Sequence, residues 1–452
     1  MKSILKPISR FARRRALITS TLSFTVCFAV WTIFSIIGIK IKSELSLNDT
    51  EFGLLVATPI LMGSVSRVFL GVLTDRYGGR IIFTLLMLIA SMMVWCLTYV
   101  SSYIGYLVIA LGVGLSGGSF AVGIAYVSRW YPRRLQGTAL GIFGVGNVGA
   151  AVTNFGAPFL LVALGWQGVA RVYAIILFLT AVLFWMFTKT DPVIAHRRHN
   201  KIKPPGLWQE LSPLKKIQVW RFSLYYFFVF GAFVALALWL PIYYTEVYHL
   251  GIKEAGMLAA MYALPASLFR ALGGWLSDKV GARTIMYWTF VACVIISFLL
   301  SYPATEYIVR GVEAKSFHFT LAMGLTPFVC FTIILGFFMS LGKAAVYKHI
   351  PVYYPENVGA VGGVVGMVGG LGGFFLPIAF GVMNDLTGLW TSCFMLLFLL
   401  VSIALTWMHF AILRMEKKIS PPSESSKYFP EFGGSHVHYN NIPDKAQKHF
   451  EA

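Results

Sequence analysis

Charge is what this 452-residue chain has little of. Asp, Glu, Lys and Arg make up 12% of it against 57% hydrophobic residues, and the mean hydropathy is +0.73. That balance excludes a water-soluble globular fold, because so much apolar surface can be hidden only in lipid. Acid is scarcer than base: 18 Asp and Glu stand against 37 Lys and Arg, and the acidic residues fall in loops, tails or the ends of apolar stretches. No carboxylate is therefore placed to neutralise a cation at mid-membrane depth. Cysteine is sparse too. Cys27, Cys96, Cys293, Cys330 and Cys393 lie scattered in apolar stretches without pairing or metal-ligand spacing, as small core hydrophobes do. No nucleophile–base arrangement, metal cluster or phosphate-binding loop is visible, so no enzyme is expected and no cofactor or metal is implied.

What the chain has instead is apolar stretches of the roughly 20 residues that a bilayer core demands. They run near 20–40, 52–73, 81–100, 104–128, 138–164, 169–188, 222–245, 255–277, 284–303, 318–342, 358–384 and 389–412, predicting an all-α membrane protein with 12 transmembrane helices. The net charge of +19 is a topology signal and not a sign of nucleic-acid binding. On this assignment the N-terminus, the alternate loops and the C-terminal tail hold 29 Lys and Arg, and the opposite loops hold six. The positive-inside rule then makes both termini cytoplasmic, which requires an even number of spans, and an inner-membrane, multi-pass location is expected. The basic run from Lys2 to Arg15 precedes an apolar stretch of full span length with no small-residue cleavage pattern after it, so it reads as a retained first helix.

The polar stretch 189–221, with His196-Arg197-Arg198-His199 and Pro204-Pro205, divides six spans from six. It reads as a cytoplasmic linker between bundles at 1–188 and 222–413, and 414–452 reads as a disordered tail. The halves share a motif. Gly71-Val-Leu-Thr-Asp75-Arg76-Tyr-Gly78-Gly-Arg80 follows the second span, and Gly274-Trp-Leu-Ser-Asp278-Lys279-Val-Gly281-Ala-Arg283 follows the eighth. The first glycine would let helices approach, the aspartate could cap a neighbouring helix, and the basic residues would anchor the turn. This pattern resembles the cytoplasmic loop signature of the major facilitator superfamily, which implies two pseudo-symmetric six-helix bundles. A second repeat joins spans five and eleven: Tyr131-Pro132 leads into Gly137, Gly141, Gly144, Gly146 and Gly149, and Tyr354-Pro355 into Gly359, Gly362, Gly363, Gly366, Gly369 and Gly370. Glycines this dense permit close crossing and bending beside a ligand path, although packing alone would also account for them.

Of the 37 basic residues, two remain after loops and tails are counted: Arg67 and Arg270. Each lies eight residues before its motif aspartate, roughly 12 Å deeper at 1.5 Å per residue, where an unpaired charge is costly. The repeat makes them counterparts across one central cavity. With no acidic partner, two guanidinium groups facing each other call for an anion between them, and their paired N–H donors suit a planar oxyanion.

Over nearly the whole membrane region the chain also resembles the nitrate/nitrite porter family of that superfamily. Gly117-Gly118-Ser-Phe120-Ala-Val-Gly123, Gln136-Gly137-Thr-Ala-Leu-Gly141-Ile-Phe-Gly144-Val-Gly146-Asn147-Val-Gly149 and Gly366-Met-Val-Gly369-Gly370-Leu-Gly372-Gly373-Phe374-Phe375-Leu-Pro377 are similar to its signatures. The resemblance implies that Arg67 and Arg270 bind substrate, that Asn147 completes the anion's hydrogen bonds, and that Tyr226 and Phe230 in span seven and Phe120 in span four supply a hydroxyl and aromatic walls. In a chain that is 15% aromatic, simple packing is the competing reading for each ring. The implied partners are nitrate, nitrite, protons and the bilayer, the chain acting as a monomer. Alternating access would carry the anion, with Gly141, Gly144, Gly146, Gly366, Gly369 and Gly370 allowing the movement. Proton symporters often carry an intramembrane Asp, Glu or His. The lack of a mid-depth carboxylate, with His318 and His409 near span ends, favours nitrate/nitrite exchange over symport. A carrier of oxalate, formate or another small anion is the nearest rival, and a non-transporting sensor the rival of another class.

Overall fold

The computed structural model describes residues 9–131, 133–190, 192, 194–195, 216–310, 316–353 and 358–418. Among them are eleven helices long and apolar enough to cross a bilayer. One of these, Ala139–Phe187, has 49 residues, about 74 Å at 1.5 Å per residue and more than twice the hydrocarbon thickness. Gly165, at φ +70° and ψ 172°, breaks it, so it is two spans and the total is twelve. In chain order they are α1 (Arg10–Leu45), α2 (Asp49–Tyr77), α3 (Gly79–Cys96), α4 (Tyr103–Ser128), α5 (133–164), α6 (166–187), α7 (Ile217–Tyr248), α8 (252–280), α9 (Ala282–Leu300), α10 (Leu325–Tyr353), α11 (Val358–Thr387) and α12 (Ser392–Lys418). Thus α7 starts inside the stretch expected to be linker. Most of the remainder of that linker, and most of the tail, lie outside the described residues.

Local chemistry sets the helix ends. Asn48 and Glu51 form a capping box at the start of α2: Glu51 N donates to Asn48 Oδ1 at 2.7 Å and Asn48 N to Glu51 Oε2 at 3.0 Å. Ser102 Oγ accepts from Gly105 N at 3.2 Å to start α4. At the other end of α2, Gly78 stops the helix at φ 92°, ψ 145°, and Gly281 stops α8 at φ 90°, ψ 137°. The repeated motif therefore makes the same left-handed turn twice. The roles expected for its other residues are less uniform. A methyl group at Gly71 or Gly274 would meet nothing within 4 Å, so these glycines do not serve close helix approach. The side chains of Asp75 and Asp278 lie outside the described residues. Arg76 and Lys279 are exposed, Lys279 with its Nζ 4.1 Å from the Trp275 ring centroid. Arg80 Nη2 donates to the Trp185 carbonyl at 2.7 Å, and Arg283 is buried.

The helices sort by burial in the way a bilayer requires. The apolar window of α7 is 89% buried and that of α12 only 28%, which puts α7 at the centre and α12 against lipid. Short irregular turns interrupt the central helices: a 3₁₀ turn at Val145–Val148 in α5, a π turn at Phe227–Ala232 in α7, and breaks at Leu264 and Phe269 in α8. All three border the site described below, a common position for such turns.

One expectation fails between α9 and α10. The run at 318–321, expected to start span ten, belongs to the second strand of an antiparallel hairpin, β1 (Thr305–Arg310) and β2 (Ser316–Leu321), with Tyr307 opposite Phe319. His318 sits in that hairpin and not at a helix end. Its alternation with Phe317, Phe319 and Thr320 has a period of two, which favours a strand. The helix then starts later, at Leu325, and runs on through Tyr353. Lys343, expected in a loop, is therefore inside α10 and has no exposed surface. Arg67 and Arg270 are not the only cations in the membrane core.

Candidate functional site

Arg67 on α2 and Arg270 on α8 are 2% and 6% exposed. No Asp or Glu is buried among the described residues. The single ion pair among them, Lys42 with Asp49, is at the end of the molecule bearing the capping box. The two guanidinium carbons each stand 5.4 Å from the centroid of the Phe120 ring, so they are no farther apart than twice that distance. Phe120 offers both like charges an aromatic ring within cation–π reach.

The rest of the Arg67 surroundings are aromatic. Its guanidinium carbon is 5.5 Å from the Trp31 ring and 5.3 Å from Phe230. Trp31 is held in place by its Nε1, which donates to the Pro59 carbonyl at 2.8 Å. Phe230 stacks on Tyr226 at 5.0 Å and 7°, the alignment expected of rings four residues apart on a helix. Tyr347, on α10, meets Tyr226 edge-on at 4.9 Å and lies 5.7 Å from the Arg270 guanidinium. Five of the six residues expected to bind substrate, Arg67, Arg270, Phe120, Tyr226 and Phe230, thus converge. Asn147 is fully buried in the 3₁₀ turn of α5, three residues after Gly144, where a methyl group would stand 3.1 Å from Arg270 Nε.

The polar atoms of this cluster are poorly paired. Arg67 Nη1 donates to the Gly366 carbonyl at 2.7 Å. Arg67 Nε and Nη2, Arg270 Nη1, and both amide atoms of Asn147 have no hydrogen-bond partner among the described residues. The Tyr226 hydroxyl lies beside that of Tyr347 without forming a well-aligned bond there. Buried donors are normally satisfied, and each that is not costs on the order of 1–3 kcal/mol. Unpaired donors around two cations can take an acceptor that carries negative charge.

Glycines make the cluster possible. A methyl group at Gly370 would stand 3.2 Å from Arg67 Nη1 and on top of Ser64 Oγ, one at Gly366 would be 2.8 Å from the Tyr347 hydroxyl, and one at Gly369 would collide with the Tyr226 ring. Gly146 is pressed on Phe24, whereas Gly141 has nothing within 4 Å. Trp31, Tyr347, Lys343 and Ser64 were not singled out from sequence.

Toward the Asp49 end the site is sealed by a seam between α2 and α11. Asn384 Nδ2 donates to Asp49 Oδ2 at 2.6 Å, and Thr50 N to Asp385 Oδ2 at 2.9 Å. A methyl group at Gly53 would lie 2.5 Å from the Pro377 carbonyl oxygen. Toward the other end Gly141 on α5 and Gly363 on α11 have open space around them.

The chain's relatives agree with this architecture. The family model of the Major Facilitator Superfamily matches residues 19–308. The chain is 42% identical over 419 residues to the probable nitrate/nitrite antiporter NarK1 of Thermus thermophilus, covering 89% of this chain and 92% of that one. It is 30% identical to the nitrite extrusion protein of Bacillus subtilis, over 83% of this chain and 89% of that one, and 30% identical to the probable nitrate/nitrite transporter NarK2 of Mycobacterium tuberculosis, over 82% and 89%. In fold it is similar to the crystal structure of a bacterial homologue of the human lysosomal transporter Spinster, with a TM-score of 0.67 at 18% identity, covering 92% of this chain and all of that one. It is a membrane carrier that belongs to the major facilitator superfamily and, within it, to the family of the nitrate and nitrite transporters.

Proposed function

We propose that the protein transports nitrate and nitrite by alternating access, with the anion held between Arg67 and Arg270. The observation that carries this reading is the pair of buried guanidinium groups that each stand 5.4 Å from the Phe120 ring, with no buried carboxylate among the described residues. A flat, weakly hydrated anion gains from in-plane N–H donors at its rim and from apolar rings on its faces. Arg67 Nε and Nη2 and Arg270 Nη1 supply the donors, Asn147 an amide, Tyr226 a hydroxyl, and Phe120 and Phe230 the walls. The names of the relatives narrow the anion to nitrate or nitrite.

In this reading the bundles at 1–188 and 222–413 rock about the site in the inner membrane, with both termini cytoplasmic and the chain working as a monomer. The seam between α2 and α11 is the outer gate, and the glycine runs of α5 and α11 take up the movement. The anion must favour the closed form over the open ones, since a ligand bound equally well in all of them shifts nothing. The test is flux into liposomes containing the purified chain. Labelled nitrate should enter when nitrate or nitrite is trapped inside, and oxalate or formate should not replace it. Equal counterflow of formate would remove the nitrate assignment.

A further inference from the structure

Lys343 is a fully buried cation that the anion site does not use. It lies inside α10 with no exposed surface. Its Nζ donates to the Ala266 carbonyl at 2.5 Å and stands 3.5 Å from the centroid of the Phe233 ring. Ala266 is in the short turn Pro265–Leu268, one helical turn before Arg270 on the same broken span. Tyr347, one turn beyond Lys343 on α10, packs against the Arg270 guanidinium, and Lys343 and Arg270 are close enough to repel. The repeat sharpens the point. Phe120 and Lys343 each stand eleven residues before the tyrosine of their Tyr-Pro pair, Tyr131-Pro132 and Tyr354-Pro355. Where the first half places the ring shared by the arginines, the second half places a primary amine.

We propose that Lys343 carries the proton that couples this anion to a proton gradient: it is protonated while an anion lies between Arg67 and Arg270, and it releases the proton when the anion leaves. This rests on the anion site proposed above. Buried on the elements packed around it are Arg270 and Tyr262 on α8, Arg283 and Cys293 on α9, Tyr225, Tyr226, Tyr243 and Tyr244 on α7, and His349 on its own helix beside half-buried Tyr347, whereas the carboxylates Glu246 on α7, Glu254 on α8 and Asp385 on α11 are exposed. No Asp or Glu is buried among the described residues, so the Ala266 carbonyl and the Phe233 ring hold the amine but no fixed negative charge balances the ammonium. An arriving anion is the missing counter-charge, and lysine, unlike arginine, can lose its proton when buried. The charge balance closes: two guanidinium groups, an anion and an ammonium carry the same net charge as two guanidinium groups and a neutral amine. One proton then crosses with one anion, and the buried charge is the same in the loaded and empty carrier.

The test uses the full chain in liposomes with a pH dye inside. Labelled nitrate is followed by counterflow at equal pH, and then by uptake from an acidic exterior with no anion inside. For the wild type, acid-driven uptake with matching proton entry is expected. In Lys343→Arg and Lys343→Met the ratio of acid-driven uptake to counterflow should fall at least tenfold. A cation that merely holds the Ala266 carbonyl would be rescued by arginine, so a wild-type ratio in Lys343→Arg overturns the proposal. Wild-type counterflow at equal pH together with no proton entry in the acid-driven arm overturns it as well and leaves the anion site standing. Absent counterflow in the wild type would remove the anion site and this inference together. A second measurement needs no variant: saturating nitrate added to the detergent-solubilised wild type in weak buffer should withdraw roughly one proton per anion bound, and no change in pH overturns the proposal.

Discussion

Arg67, in the first half of the chain, donates to the carbonyl oxygen of Gly366 in the second at 2.7 Å. The bond ties a buried charge directly to α11, the helix that forms the seam with α2 at the Asp49 end. It also leaves Nε and Nη2 of the same guanidinium without partners among the described residues, so one edge is anchored and the other is available. Because Gly370 lies beside that guanidinium, the anchoring helix can come so near only while position 370 has no side chain.

Gly370→Ala should therefore weaken transport without unfolding the protein. The added methyl would stand 3.2 Å from Arg67 Nη1 and overlap Ser64 Oγ, and overpacking of this kind costs about 1–3 kcal/mol. If about half of that falls on the anion-bound state, nitrate uptake drops roughly two- to thirteenfold at normal membrane levels. Initial rates of labelled nitrate uptake, with the amount of carrier measured by immunoblot, check this.

Arg67→Lys and Arg270→Lys keep the charge and lose the paired N–H geometry. Charge-assisted hydrogen bonds contribute about 1.5–3 kcal/mol, so each variant should transport nitrate about ten- to a hundredfold more slowly than wild type. The cells must lack other nitrate porters for the assay to be read. Wild-type rates in both variants would exclude these residues as the site.

Phe120→Leu removes the ring that both guanidinium carbons share at 5.4 Å. Cation–π contacts are worth about 0.5–2 kcal/mol each when desolvated, and leucine keeps most of the volume. The nitrate concentration giving half-maximal uptake should rise roughly three- to thirtyfold, while the detergent-solubilised protein stays folded by circular dichroism.

How far the sequence reached is instructive residue by residue. Arg67 and Arg270 stand out because a charge inside an apolar run is a strong contrast, and the repeat doubles it. Lys343 is chemically as conspicuous but was assigned to a loop. The strand at Ser316–Leu321 has the hydrophobicity of a helix start, which moved the expected span several residues too early and left the lysine outside. Trp31 and Tyr347 gave no signal, because in a chain with this many rings nothing local separates a wall of the site from a lipid-facing aromatic. The pairing of Asp49 with Asn384 joins residues more than three hundred positions apart, and single-sequence reading has no means of finding it. The motif glycines were legible as a pair, but their roles were exchanged: the first in each motif touches nothing and the second makes the turn.

That exchange gives a contrast that can be measured. Gly78 and Gly281 sit at φ 92° and 90°, a region that side chains reach only with strain of order 1–3 kcal/mol. Gly78→Ala and Gly281→Ala should each lower the half-unfolding temperature of the solubilised chain by a few degrees. Gly71→Ala and Gly274→Ala add a methyl where nothing lies within 4 Å, inside helices where alanine is favoured by about 1 kcal/mol over glycine. They should leave that temperature unchanged or raise it. Fluorescence-detected thermal unfolding of the four variants side by side decides the matter, and equal destabilisation at all four positions would mean that helix approach, and not the turn, is what the motif glycines serve.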